Sequence, residues 1–222
     1  MKNFKKLFAI IFTVAVVVFG VLVMINERDI FQAFDGLNWK DEFERGIGIL
    51  AIIVLTVDIL LIALPTIAFI LVLTDKFDPF KAIVDSALVV LAKFLITIFA
   101  WMLLMIVWKA PADVWKAYFF DKDSLAIIPL IVFFAAFLFL MIAKVSNFEG
   151  TLTRAVLATI GAGLAVFGLV FYFICGTNTS IGSMGKDPDF LTIFGLIVGI
   201  ACFAGIVVYS YLPQTREFKT QE

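Results

Sequence analysis

The sequence predicts an all-α fold: a polytopic integral membrane bundle of six transmembrane helices with both ends on the inner side. Composition carries the first part of that reading. Of 222 residues, 63% are hydrophobic and 16% charged, whereas soluble domains are near half apolar and a quarter charged. Six apolar runs carry the second part: Leu7–Ile25, Ile49–Leu73, Ala87–Trp108, Ala126–Ala143, Ala155–Cys175 and Phe190–Leu212. Each approaches the roughly 20 residues needed to cross about 30 Å of hydrocarbon. Lysine and arginine placement carries the third. With the N-terminus inside, inner segments hold ten of these residues and outer segments seven, the bias expected of cytoplasmic loops. The connections are short, so residues 1–222 read as one membrane domain with a flexible tail over 213–222. The expected location is a bacterial inner (plasma) membrane.

The first run follows the basic stretch "MKNFKK". No small-residue cleavage pattern follows it, so it reads as an uncleaved first helix rather than a signal peptide. Next, Ile30, Phe31, Phe34 and Leu37 share one helical face and suit a short helix lying at the outer interface. The second helix is expected to begin near Trp39. Asn38 is its candidate cap, and Asp41 and Glu42 sit in its first turn, where acids are favoured. Lys40–Glu44 and Asp41–Arg45 are opposite charges four apart. Asp41, Glu42, Glu44 and Arg45 then form a charged collar above the outer surface, with Gly46 and Gly48 able to bend the helix below it.

Asp78 followed by Pro79 is a cap and first-turn signal, so the third helix is expected to start at Pro79, two turns before its apolar run. Pro111 starts a further interfacial helix, and Trp108, Trp115 and Tyr118 are candidate anchors at headgroup level. Asp187 and Pro188 repeat the cap signal ahead of the sixth run. The preceding "GTNTSIGSMGKDPDF" is the Gly/Ser-rich outer loop.

Helix contacts are expected at small residues, which let backbones approach in lipid. Gly195 and Gly199 form G-x-x-x-G in the sixth run, and Gly161 and Ala165 are four apart in the fifth. They predict a tight pair between these two helices or a contact between subunits. The two cysteines, Cys175 and Cys202, differ in expected depth by roughly 18 Å. That exceeds disulfide reach, so both read as packing residues.

One aspartate interrupts the second run. Asp58 is the only charged residue among the 25 from Ile49 to Leu73, and a bare carboxylate near the bilayer centre costs at least ~2.5 kcal/mol. Thr56 lies beside it. Pro65 frees the carbonyl four residues back and can kink the helix. An acid, a freed carbonyl and a kink make a polar point for water, a proton or a cation, or a buried acid satisfied by its neighbours. Lys93 is the candidate partner. From the start of its apolar run it is expected about 8 Å nearer the inner face, where snorkelling to the headgroups is the expectation and pairing the alternative.

The composition excludes most chemistry. There is no histidine, which removes the commonest general base and metal ligand. An intramembrane aspartyl protease needs two acids, and only Asp58 qualifies. No phosphate-cradling motif is present, and a net charge of −1 offers no basic field for nucleic acid. No enzyme activity, cofactor or metal is therefore expected. The expected function is a channel-type or membrane-sensing subunit of a homo-oligomer in the lipid bilayer, with Asp58 as its intramembrane polar point. Two alternatives stand beside it. One is an accessory, immunity or phage-defence subunit acting through an unlike protein partner. The other is a small-solute carrier or its binding subunit; the chain is similar to the vitamin-binding subunits of energy-coupling transporters in helix count alone.

Overall fold

The computed structural model describes residues 2–26, 36–107, 127–145, 152–175 and 190–211, together with 112 and 116. Among these residues, six helices are long and apolar enough to cross a membrane: α1 (Lys2–Asn26), α2 (Glu42–Leu73), α3 (Pro79–Val107), α4 (Ile127–Val145), α5 (Leu152–Cys175) and α6 (Phe190–Tyr211). Trp108, Trp115 and Tyr118, the interfacial helices after Asn26 and Val107, the Gly/Ser-rich loop, Asp187 and the tail lie outside the described residues.

Consecutive helices run antiparallel, and the chain closes on itself as α6 packs back against α1. The contacts fix the register. At the end of the bundle where the chain begins, Lys6 reaches Leu73 and Asp75, and Phe8 meets Tyr209. Further along, Gly20 lies against Leu61 and Ile62, and Gly199 against Phe19. We call the end holding the start of α1 and the end of α6 the proximal end. α3 is the hub: besides its neighbours α2 and α4, it touches α1 and α6 across the ring. Its buried residues Ala87, Leu91, Phe94 and Ile98 sit in the main core with Phe19, Leu61, Phe133 and Leu169. Each helix exposes large apolar side chains, among them Ile11, Ile59, Phe99, Phe134, Phe167 and Ile197, as a lipid-facing surface requires.

The local signals at helix ends act largely as expected. Asp78 caps α3, its Oδ1 accepting the Lys81 amide at 2.9 Å. The collar helix starts at Glu42, three residues later than expected, and its cap is Asp41 rather than Asn38. Asp41 Oδ1 accepts the Glu44 amide at 3.1 Å, and the Glu44 carboxylate reaches back to the Asn38 amide. The first bond satisfies a donor that the helix start leaves open, and the second ties the helix to the preceding turn. Asn38 instead turns the chain, its Oδ1 accepting the Lys40 amide at 3.2 Å. Gly46 and Gly48 lie inside the continuous α2 and do not break it. Gly48 makes room for Trp39, whose ring would lie 2.6 Å from a Cβ placed there.

The α2–α3 turn shows how the proximal end is held. Asp75 adopts φ 55°, and the amides of Asp75 and Lys76 bond back to Val72 and Leu71. This is the left-handed helix stop usually taken by glycine. Lys6 of α1 then donates to the Leu73 carbonyl at 2.9 Å and pairs with Asp75 at 3.1 Å. A cation thus sits at the negative end of α2.

A buried charge pair between α2 and α3

Asp58 and Lys93 meet in the middle of the bundle. Lys93 Nζ lies 2.6 Å from Asp58 Oδ1, with the side chains 1% and 0% exposed. The pairing corrects the expected snorkelling of Lys93, and helix length gives the reason. Asp58 is 15 residues before the end of α2 and Lys93 is 14 residues after the start of α3. At 1.5 Å per residue these are about 22 and 21 Å from a shared turn. The two residues are therefore level. An offset of 8 Å follows only if depth is counted from the apolar run at Ala87 and the two turns from Pro79 are left out.

The contact is chiefly Coulombic. Neither Asp58 oxygen takes a hydrogen bond of ordinary geometry among the described residues, and Oδ2 faces no described donor. Removing both charges from water is expensive, and attraction in a low-dielectric interior offsets that only when the geometry is good. The pair is a costly element held in place by the surrounding helices.

The other residues of the expected polar point divide. Pro65 is buried two turns along the same face of α2 as Asp58. Thr56 is turned outward, and its hydroxyl returns to the Ile52 carbonyl at 2.7 Å. Two residues that the sequence reading passed over belong to the same stripe. Ser86 and Thr97 flank Lys93 on α3 at spacings of seven and four, and both are 1% exposed. Ser86 bonds back to Ala82 at 2.8 Å. Thr97 Oγ1 has no hydrogen-bond partner among the described residues. The Ser86–Lys93–Thr97 spacing was the available signal: one helical face carrying the three buried polar residues of α3.

The packing glycines are engaged, and the expected pairing of the fifth and sixth helices is met in part: Gly199 of α6 contacts Leu169 of α5, while the glycines of α5 face α4. Gly161 abuts Leu140 and Ala136 of α4, and Gly168 abuts Phe133 of α4. Gly199 touches both Phe19 of α1 and Leu169 of α5, whereas Gly195 meets only Leu22 of α1, at 3.9 Å. Ala165 is fully buried. The closest small-residue seam is thus α4–α5, with α6–α1 second. Cys202 is buried and unbridged.

Comparison with known proteins finds no matching family model, curated sequence or solved structure. The site must therefore be read from its own geometry.

Nearer the proximal end, a second polar layer joins α3 to the helices that follow it. Arg154 of α5 is buried, donates from Nε to the Ala143 carbonyl at 3.2 Å, and stacks its guanidinium 3.7 Å from the centre of the Phe80 ring. Phe80 in turn stacks on Tyr209 at 5.8 Å. This ties α3, α4, α5 and α6 together. Replacing Phe80 by leucine removes the cation–π contact and the ring stack while keeping an apolar side chain. It is expected to lower unfolding stability by about 1–2 kcal/mol, read by thermal unfolding in detergent.

Proposed function

We propose that the protein is a non-enzymatic membrane subunit of channel or sensing type, in which the Asp58–Lys93 pair latches the closed state. It self-associates as a homo-oligomer, with both ends on the inner side according to its lysine and arginine distribution. One observation supports the reading above all: two opposite charges meet, dry, halfway along α2 and α3, where apolar residues would pack at lower cost. A pair held that way favours one arrangement of the two helices strongly. Separating it hydrates both charges at once, so the interior has two distinct states rather than a continuum. A stimulus that favours the separated state shifts the population by its differential interaction with the two. Pro65 on α2, about 10 Å towards the shared turn, and Thr97 on α3, about 6 Å to the other side, flank the pair where water would enter.

The test is ion flux from liposomes holding the purified protein, at rest and under osmotic tension or voltage. The wild type is expected to be closed at rest and to conduct under the stimulus. Asp58→Asn is expected to raise resting flux at least about tenfold, the shift given by ~1.4 kcal/mol of lost closed-state stability. The exchanged pair Asp58→Lys with Lys93→Asp is expected to return flux towards the wild-type level. Equal resting flux in the wild type and Asp58→Asn would keep a pore but remove the latch. No flux from any variant under either stimulus, with intact thermal melts, overturns the reading and leaves a subunit that acts through another protein.

A further inference from the structure

A second polar element lies apart from the buried pair, on the lipid-facing side. α2 and α4 stand on either side of α3, and between them an open cleft of about 410 Å³ runs over the outer face of α3. That volume is within the ~300–1,000 Å³ of small-molecule sites. Its walls are apolar, with Leu64 and Leu71 of α2, Val89 and Ala92 of α3, and Phe137 of α4. Its proximal end is charged: Asp85 and Lys144 both line it and pair with each other. Each side chain is 30% exposed.

The placement of these charges matters. Asp85 is six residues into α3, a helix of 29 residues and about 44 Å that, centred on a 30 Å hydrocarbon core, extends past it at both ends. Lys144 is next to the last residue of α4. Both therefore sit at the edge of the hydrocarbon, at headgroup depth. Ala92 is seven residues further along α3, about 10 Å deeper. The cleft has the form of an amphiphile: an apolar trough opening sideways to lipid, capped by a neutral pair of opposite charges.

We propose that this cleft is a phospholipid site selective for a headgroup with both a phosphate and a primary ammonium, as in an ethanolamine phospholipid. One acyl chain lies along Val89 and Ala92. The phosphate accepts from Lys144 Nζ, and the ammonium donates to the Asp85 carboxylate. Charge complementarity selects this occupant. An anionic headgroup with no amine satisfies Lys144 but meets Asp85 unfavourably. A quaternary choline has no N–H to donate to Asp85. Bonds between charged donors and acceptors are the stronger class, so the primary ammonium is distinguished from choline by more than size.

Native mass spectrometry of the full-length, delipidated protein tests this. The probes are phosphatidylethanolamine, phosphatidylcholine and phosphatidylglycerol with identical dioleoyl chains. The wild type is expected to retain the ethanolamine lipid about tenfold better than either of the others. Lys144→Gln and Asp85→Asn are each expected to abolish that preference. Ala92→Phe, which fills the trough, is expected to reduce retention of all three. Where its melting temperature falls, Leu64→Trp on the exposed rim serves instead, with the same expected loss. Equal retention of the three lipids by the wild type overturns the proposal. So does a preference for phosphatidylglycerol, or retention unchanged by filling the trough.

Discussion

Breaking the buried pair from one side is expected to lower stability by about 3–5 kcal/mol, whereas removing both charges restores most or all of it. Asp58→Leu leaves the Lys93 ammonium in the core about 21 Å from the start of α3. That is too deep for its side chain to reach either headgroup layer without moving the helix. Lys93→Met leaves the Asp58 carboxylate in the same position, with no described donor in its place. The double variant Asp58→Leu with Lys93→Met places two apolar chains at a fully buried contact between α2 and α3. Replacements of this kind are often neutral or stabilising. The measurement is a double-mutant cycle of unfolding in detergent, by temperature or by denaturing surfactant. A coupling near zero, with the double variant as unstable as the sum of the singles, would mean that the pair does not join the helices energetically. The cycle separates the latch from the pore. A stable double variant that is also leaky in liposomes assigns the pair to gating. A stable, closed double variant assigns it to neither.

The second large effect is expected at the α4–α5 seam. A Cβ at Gly168 would stand 2.7 Å from the Phe133 ring, and one at Gly161 would stand 2.9 Å from Leu140 and 3.2 Å from the Ala136 carbonyl oxygen. These neighbours have little room to yield. Phe133 is fully buried, stacked on Phe94 at 5.1 Å and tilted against Tyr172 at 6.3 Å. Phe94 adjoins Lys93, so strain at this seam reaches the residue next to the charge pair. Gly168→Ala and Gly161→Ala are each expected to lower stability by about 1–3 kcal/mol, the usual range for overpacking. Two controls come from the same protein. Gly163 of α5 meets nothing within 4 Å, and Gly195 of α6 makes only an ordinary contact at 3.9 Å. Alanine at either position is expected to stay within about 0.5 kcal/mol of the wild type. Thermal unfolding of the four variants gives the answer. Loss at Gly195 as large as at Gly168 would return the main seam to α6 and its G-x-x-x-G spacing.

Much of this architecture is legible in the chain because the bilayer acts on each helix separately. Hydrocarbon thickness sets the length of an apolar run, and every backbone group must be bonded within its own segment. The six helices therefore follow from composition and length alone. The Asp78–Pro79 start of α3 is equally local, since the cap acts over three residues. Starts and caps became uncertain where several polar residues competed. "NWKDEFER" offers Asn38 and Asp41, and only the path of the chain into α2 gave the cap to Asp41.

What the sequence determined by itself was the class of protein, its helices and the presence of one acid and one lysine that the membrane interior must accommodate. Tertiary structure decided how each of these is satisfied. Whether Lys93 snorkels or pairs depends on the register of α3 against α2, and that register is set by the turn at Asp75 rather than by the apolar run. Which helix each glycine faces depends on ring order, which lipid solvation does not specify because every outer surface is apolar alike. The lipid cleft depends on the separation of α2 and α4, helices that are far apart in sequence and related only through α3. The physical reason is common to all three. Spanning is a property of one segment against its solvent, whereas pairing is a property of two surfaces, and a single period of apolar residues does not state which surface will be its neighbour.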